Sequence, residues 1–175
     1  MDVHAITVGG IPIPSRDPWF LATVAIHVAA GIVAVVAGAV AMRSAKGPGR
    51  HPRTGTVYFW SLTVVAATMA LLAAARWPQD NHLAALGALA FGSATLGRTA
   101  RRARWRRWMP VHITAMGVSY VAMLTAFYVD NGPHLPLWNR LSTLAFWLLP
   151  ALIGAPIIVA ALRRGRPELL ARHTP

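Results

Sequence analysis

The chain has 175 residues, 55% of them hydrophobic and only 13% charged, with a mean hydropathy of +0.48, a mixture that cannot coat a water-soluble domain and that makes lipid the expected solvent. Cysteine is absent, which excludes disulfide frameworks, thiolate metal sites, iron–sulfur clusters and cysteine nucleophiles. The formal charge of +12 has two readings, a nucleic-acid surface or the bias of Lys and Arg toward cytoplasmic loops of membrane proteins, and placement decides between them.

Residues 1–17 contain Gly9, Gly10, Pro12 and Pro14, start with Asp2 rather than a basic cluster, and lack a short apolar core with a cleavage site. No cleaved signal peptide is expected, and this segment is read as extracytoplasmic.

The first apolar stretch, Pro18 to Met42, is long enough to span a bilayer and to act as an uncleaved insertion signal. His27 lies about eight residues into it, where a polar side chain needs a partner or a cavity. Helical spacing puts Thr23, Ala30, Gly31, Ala34 and Gly38 on its face. Two readings stand: close packing against another helix, since small residues let backbones approach, and the edge of a flat cofactor or ligand beside the imidazole.

The second stretch, Thr56 to Ala75, is preceded by HPRTGTVY, which carries His51, Gly55 and Tyr58. The third, His82 to Gly97, is short and needs its flanks to cross. It is followed by RRARWRR from Arg101 to Arg107, with Trp105 and Trp108 interleaved. Because this run joins two spans, anionic lipid at the cytoplasmic face is its expected partner and nucleic acid is not.

The fourth stretch, Val111 to Val129, opens on His112, with Met116, Ser119 and Tyr120 following. Spans two and four start at the same membrane face, so His51 and His112 are expected at similar depth. Facing imidazoles there could ligate a b-type haem or a transition metal, with Tyr58 beside them and Met116 as a soft ligand. The competing reading is that both histidines cap backbone groups or touch lipid phosphate. His82 and His134 lie in outer loops beside Asp80 and Asp130, a weaker candidate for metal, and His27 and His82 are a poor axial pair.

The fifth stretch, Leu141 to Leu162, contains Pro150, Gly154 and Pro156 and is expected to kink. A basic tail, residues 163–175, follows. No internal repeat is evident. No acidic residue falls deep within a span, so carboxylate dyads and His–carboxylate pairs lack parts, and hydrolytic catalysis is disfavoured.

With these five spans removed, 14 of the 17 basic residues fall on one side, while Arg16, Arg76 and Arg140 fall on the other with Asp2, Asp17, Asp80 and Asp130. The basic side is expected to be cytoplasmic, with the N-terminus outside and the C-terminus inside. The fold class is therefore all-α, a polytopic transmembrane bundle of about five helices.

An intramembrane His in the first span, then H-x3-G-x2-Y at His51, Gly55 and Tyr58, then an Arg-rich loop running into Trp108 and Met109, resembles the bacterial membrane proteins grouped as domain of unknown function 2306. The likeness covers roughly Ile26 to Tyr128, and Pro52 stands where that family tends to have Arg. It implies a multi-pass protein of a bacterial cytoplasmic membrane and no particular reaction. Three functions fit the sequence: a haem or metal protein in electron transfer, a permease or ligand-binding protein using the small-residue face and the fifth span, and an accessory subunit packing against itself or a membrane partner.

Overall fold

The computed structural model describes residues 6–8, 11–13 and 15–171, with side chains described for residue 13 and for residues 15–164. Five helices make up the body: α1 Pro18–Arg43, α2 Arg50–Ala75, α3 Asn81–Arg102, α4 Trp108–Asn131 and α5 Thr143–Ala171. Ahead of them, β1 Ile6–Val8 pairs antiparallel with β2 Ile11–Ile13, Ile6 opposite Ile13. This small hairpin was not expected in an all-α chain. Its signal is local: two short β-branched runs flank Gly9–Gly10, a two-residue hairpin pattern.

Four helices are long and apolar enough to cross a membrane: Pro18–Arg43, Arg50–Ala75, Trp108–His134 and Thr143–Arg164. At 22 residues α3 rises about 33 Å, also enough for the hydrocarbon core, but its polar ends dilute its hydropathy. It is held by protein on its small-residue face, where Ala90, Ala94, Gly97 and Ala100 are buried.

Each helix reaches past its apolar stretch at one end or both. The largest shift at a helix start is at α2, which begins at Arg50 rather than near Thr56, because the polar HPRTGT segment is already helical; at the other end α5 runs on to Ala171. Gly49 makes the turn into it with a φ of +112°, a left-handed backbone that only glycine adopts freely. Pro18 opens α1 from a first-turn position that needs no amide hydrogen. Through Pro150 and Pro156, α5 continues as one helix.

Consecutive helices pack as antiparallel neighbours, α1 on α2, α2 on α3, α3 on α4 and α4 on α5. In addition α4 reaches α2 through a 2.7 Å hydrogen bond between the Tyr58 and Ser119 hydroxyls, and α1 through Tyr120, whose hydroxyl donates to the Val35 carbonyl at 3.0 Å. Thus α4 touches all four other helices. The core is made of small residues around a few large ones: Ala34, Ala37, Ala90, Ala94 and Ala122 surround Tyr58, Leu62 and Met123. The large aliphatic groups point outward instead, with Leu152 65% and Ile153 61% exposed. A water-soluble fold would invert that distribution, whereas lipid removes the drive to bury large side chains and leaves close backbone packing to hold helices together.

Gly38 is the tightest point of the α1/α4 crossing. A Cβ there would lie 2.6 Å from Tyr120 Cε2 and 3.0 Å from Tyr58 Cδ2.

Candidate metal centre

The C-terminal end of α1, the N-terminal end of α2, the C-terminal end of α3 and the N-terminal end of α4 meet at one end of the bundle, and two histidines tie them together. His51 Nδ1 lies 2.9 Å from the Ala41 carbonyl of α1, and His112 Nδ1 lies 2.9 Å from the Gly97 carbonyl of α3. A carbonyl can only accept, so both Nδ1 atoms carry hydrogen, and each neutral ring keeps its lone pair on Nε2.

Both bonds have a structural use. Ala41 is in the last turn of α1, where carbonyls lack helical partners. Its oxygen also accepts from Lys46 Nζ at 3.1 Å, and the same ammonium reaches the Met42 carbonyl at 2.9 Å. On the α3 side, Gly97 permits the approach: a Cβ there would lie 3.2 Å from Ala115 Cβ and 3.2 Å from Met116 Sδ. The expectation that these histidines cap backbone groups is met at Nδ1, and the two rings come close to each other at this end of the bundle. The rings of His51 and His112 stand 6.4 Å apart between centroids with planes at 84°.

That spacing is informative. An imidazole nitrogen binds a transition metal at about 2.0–2.1 Å, and with about 1.1 Å from nitrogen to ring centre on each side, a linear pair sharing one ion has centroids about 6.3 Å apart. An Nδ1–H held by a backbone carbonyl is also the usual outer-shell support of a ligating histidine, since it fixes ring orientation and tautomer. Among the described residues no group of three or more His, Cys, Asp or Glu side chains is placed to hold a metal ion. A third ligand would have to be of another kind. Met116 is one helical turn along from His112 on the same face of α4, its thioether against Gly97.

A macrocycle fits less well. Two helical turns inward of the pair, Tyr58 is 2% exposed and Ser119 0%, joined by their hydroxyls, with the Tyr58 and Tyr120 rings 6.0 Å apart. That contact packs α2 against α4 and bounds how far a haem plane could extend inward between them. Tyr58 therefore closes the floor below the imidazoles, with its hydroxyl committed to Ser119.

His27 belongs elsewhere. Its Nδ1 lies 2.9 Å from Thr68 Oγ1, and Thr68 gives its own hydrogen to the Val64 carbonyl at 2.7 Å, so the imidazole donates and the hydroxyl accepts. Ala41, the anchor of His51, is fourteen residues further along α1, about 21 Å away. His27 thus shares no ligand with His51 and His112, and it finds its partner on a packed helix. Its small-residue face does contact neighbours at Ala34 and Gly38, but Gly31 faces open space. Nor does it line the cleft of about 450 Å³ between α1 and α2, whose walls include Ile26, Ala30, Val33, Trp60 and Ser61.

A test separates the two histidine environments. Thr68→Val should lower stability by about 1–2 kcal/mol, since it removes the hydroxyl that accepts from His27 in an apolar setting, while metal binding stays unchanged. Unfolding in detergent together with metal titration would check both halves. His82 stacks obliquely near Trp147, centroids 6.1 Å apart, and His134 is exposed in the short 3₁₀ turn after α4.

Sequence reasoning missed the acceptors Ala41 and Gly97. Backbone carbonyls carry no side-chain signal, although the glycine at Gly97 marks a place where two helices approach. Comparison of the chain with protein-family models, with curated proteins and with solved structures found no match.

Proposed function

We propose that this multi-pass membrane protein holds a single cuprous ion between His51 and His112 and serves in electron transfer. The observation that supports the reading is the pair of imidazoles with Nδ1 fixed on carbonyls, Nε2 left free, and ring centres at the spacing one shared ion needs.

The choice of ion follows from the donors and the surroundings. Imidazole suits copper, zinc and iron, and a nearby thioether favours the softer Cu(I). With Lys46, Arg98 and Arg101 at the same end of the bundle, a monovalent ion meets half the repulsion of a divalent one. The residues that would hold it are His51 and His112, with Met116 one turn deeper. Bound there, copper would supply one-electron chemistry. The protein's part is to fix both ring orientations, and the hydroxyl-bonded Tyr58 and Ser119 close the inward side. The likeness to the domain of unknown function 2306 agrees with a bacterial membrane setting. The one-sided distribution of arginine supports an orientation with this end in the cytoplasm and the N-terminus outside.

Detergent-purified protein, loaded anaerobically with Cu(I) against a competing chelator, should take up one copper per chain. Stoichiometry well below one would overturn the reading. A strong Soret band in the isolated membranes would reassign the pair to haem.

A further inference from the structure

The end of the bundle that carries the imidazoles also carries an unbalanced charge. Gly117 meets Ile158 while Val121, further along α4, meets Gly154, earlier on α5, so α5 runs antiparallel to α4 and its close joins the same end. There stand Arg43, Lys46, Arg50, Arg53, Arg98, Arg101, Arg102, Arg104, Arg106, Arg107, Arg163 and Arg164, and among the described side chains no carboxylate accompanies them. At the opposite end Arg16, Arg76 and Arg140 are matched by Asp17, Asp80 and Asp130, and Arg76 pairs with Asp80 at 3.0 Å. No other ion pair occurs among the described residues.

The position of these cations selects a phospholipid over a soluble anion. Residues 101–107 are all exposed, and they sit directly on the rim of the apolar body. Arg98 lies near that boundary with its guanidinium 4.5 Å over the Phe59 ring, a cation held on an aromatic face of the apolar body. Trp105 lies within the run, at the level where amphipathic rings meet headgroups. A soluble polyanion would leave the apolar wall below the rim unused, whereas a phospholipid places phosphate on the arginines and acyl chains along that wall.

We propose that the arginine-rich end binds the phosphate headgroup of an anionic phospholipid, and that this negative charge makes the cation site between His51 and His112 usable. The second half rests on the copper reading above. A metal ion entering a field of a dozen positive charges is repelled, and the described side chains offer no carboxylate there; the lipid supplies the counter-charge.

The full chain reconstituted in nanodiscs would test this, with phosphatidylcholine alone or mixed with phosphatidylglycerol. In metal-free protein, native mass spectrometry should show retained phosphatidylglycerol well above retained phosphatidylcholine. Combined substitution of three exposed arginines, Arg101→Gln, Arg102→Gln and Arg106→Gln, should lower that retention by about a hundredfold, at about fivefold per cation removed; a thermal melt verifies that the variant is folded. Equal retention of both lipids, or displacement of phosphatidylglycerol by millimolar inorganic phosphate or by an oligoribonucleotide, would overturn the lipid assignment. In the second arm, Cu(I) affinity should be several-fold higher in the anionic nanodiscs. The same affinity in both compositions would overturn the coupling. Retained lipid with no copper in either composition would instead remove the copper reading and leave lipid binding standing.

Discussion

Replacing either His51 or His112 with asparagine is expected to weaken copper binding strongly while leaving the bundle folded. Asparagine carries its amide nitrogen on Cγ, where histidine carries Nδ1, so each variant can still donate to its carbonyl, Ala41 for position 51 and Gly97 for position 112. What disappears is the outer nitrogen. Losing one of two protein nitrogens should weaken the site by about a hundredfold or more, the upper range already found for outer-shell partners. Melting temperature should move by only a few degrees. His112→Gln acts in the reverse sense: its longer side chain withdraws the donor from Gly97, costing about 1 kcal/mol. Competition titration with a Cu(I) chelator, run beside thermal unfolding, reads both quantities. Asparagine variants that bind copper as tightly as the parent would show that the imidazoles are caps and nothing more.

Gly38→Ala is expected to destabilise the bundle by about 1–3 kcal/mol, the range for forcing extra carbon into a filled interior. The added carbon meets the Tyr120 ring at 2.6 Å and Tyr58 at 3.0 Å. Neither ring can retreat cheaply, since Tyr120 is bonded to the Val35 carbonyl and Tyr58 to Ser119. Gly31→Ala on the same helix provides the control. Nothing lies within 4 Å of the carbon it adds, so its effect should stay within about 0.5 kcal/mol. Combining Tyr120→Ala with Gly38→Ala should cost less than the sum of the two single changes, because the two positions are in contact and their effects do not add. Equal melting temperatures for the two alanine variants would refute this account of the α1/α4 crossing.

The helical body is legible in the sequence because the signal for a lipid-embedded helix is coarse and long. Hydropathy located α1 to within a residue at each end, from Pro18 to Arg43. It placed the start of α2 some six residues late, because it measures contact with lipid and the helix begins in the headgroup layer. The composition of α3 is diluted by Asn81, His82 and its closing arginines, so its place depends on packing against α4 that no single segment reveals. The approach of His51 to His112 could be anticipated from two helices starting on one face. What lay beyond reach was which nitrogen of each ring is engaged, since that is decided by main-chain oxygens of α1 and α3. The same applies to His27. Its depth marked it as costly, but its acceptor Thr68 lies 41 positions away with nothing local to connect them.

The central place of α4 has a consequence in time as well as space. During synthesis the first three helices emerge before it, and Tyr58 then has no Ser119 hydroxyl to meet and Gly38 lacks the Tyr120 ring. Early hairpins can form between α1 and α2, but the hollow they share stays open until the fourth segment arrives and wedges into it. The final architecture is thus reached by a late insertion between elements already in the bilayer, and the imidazole pair comes into being only at that step.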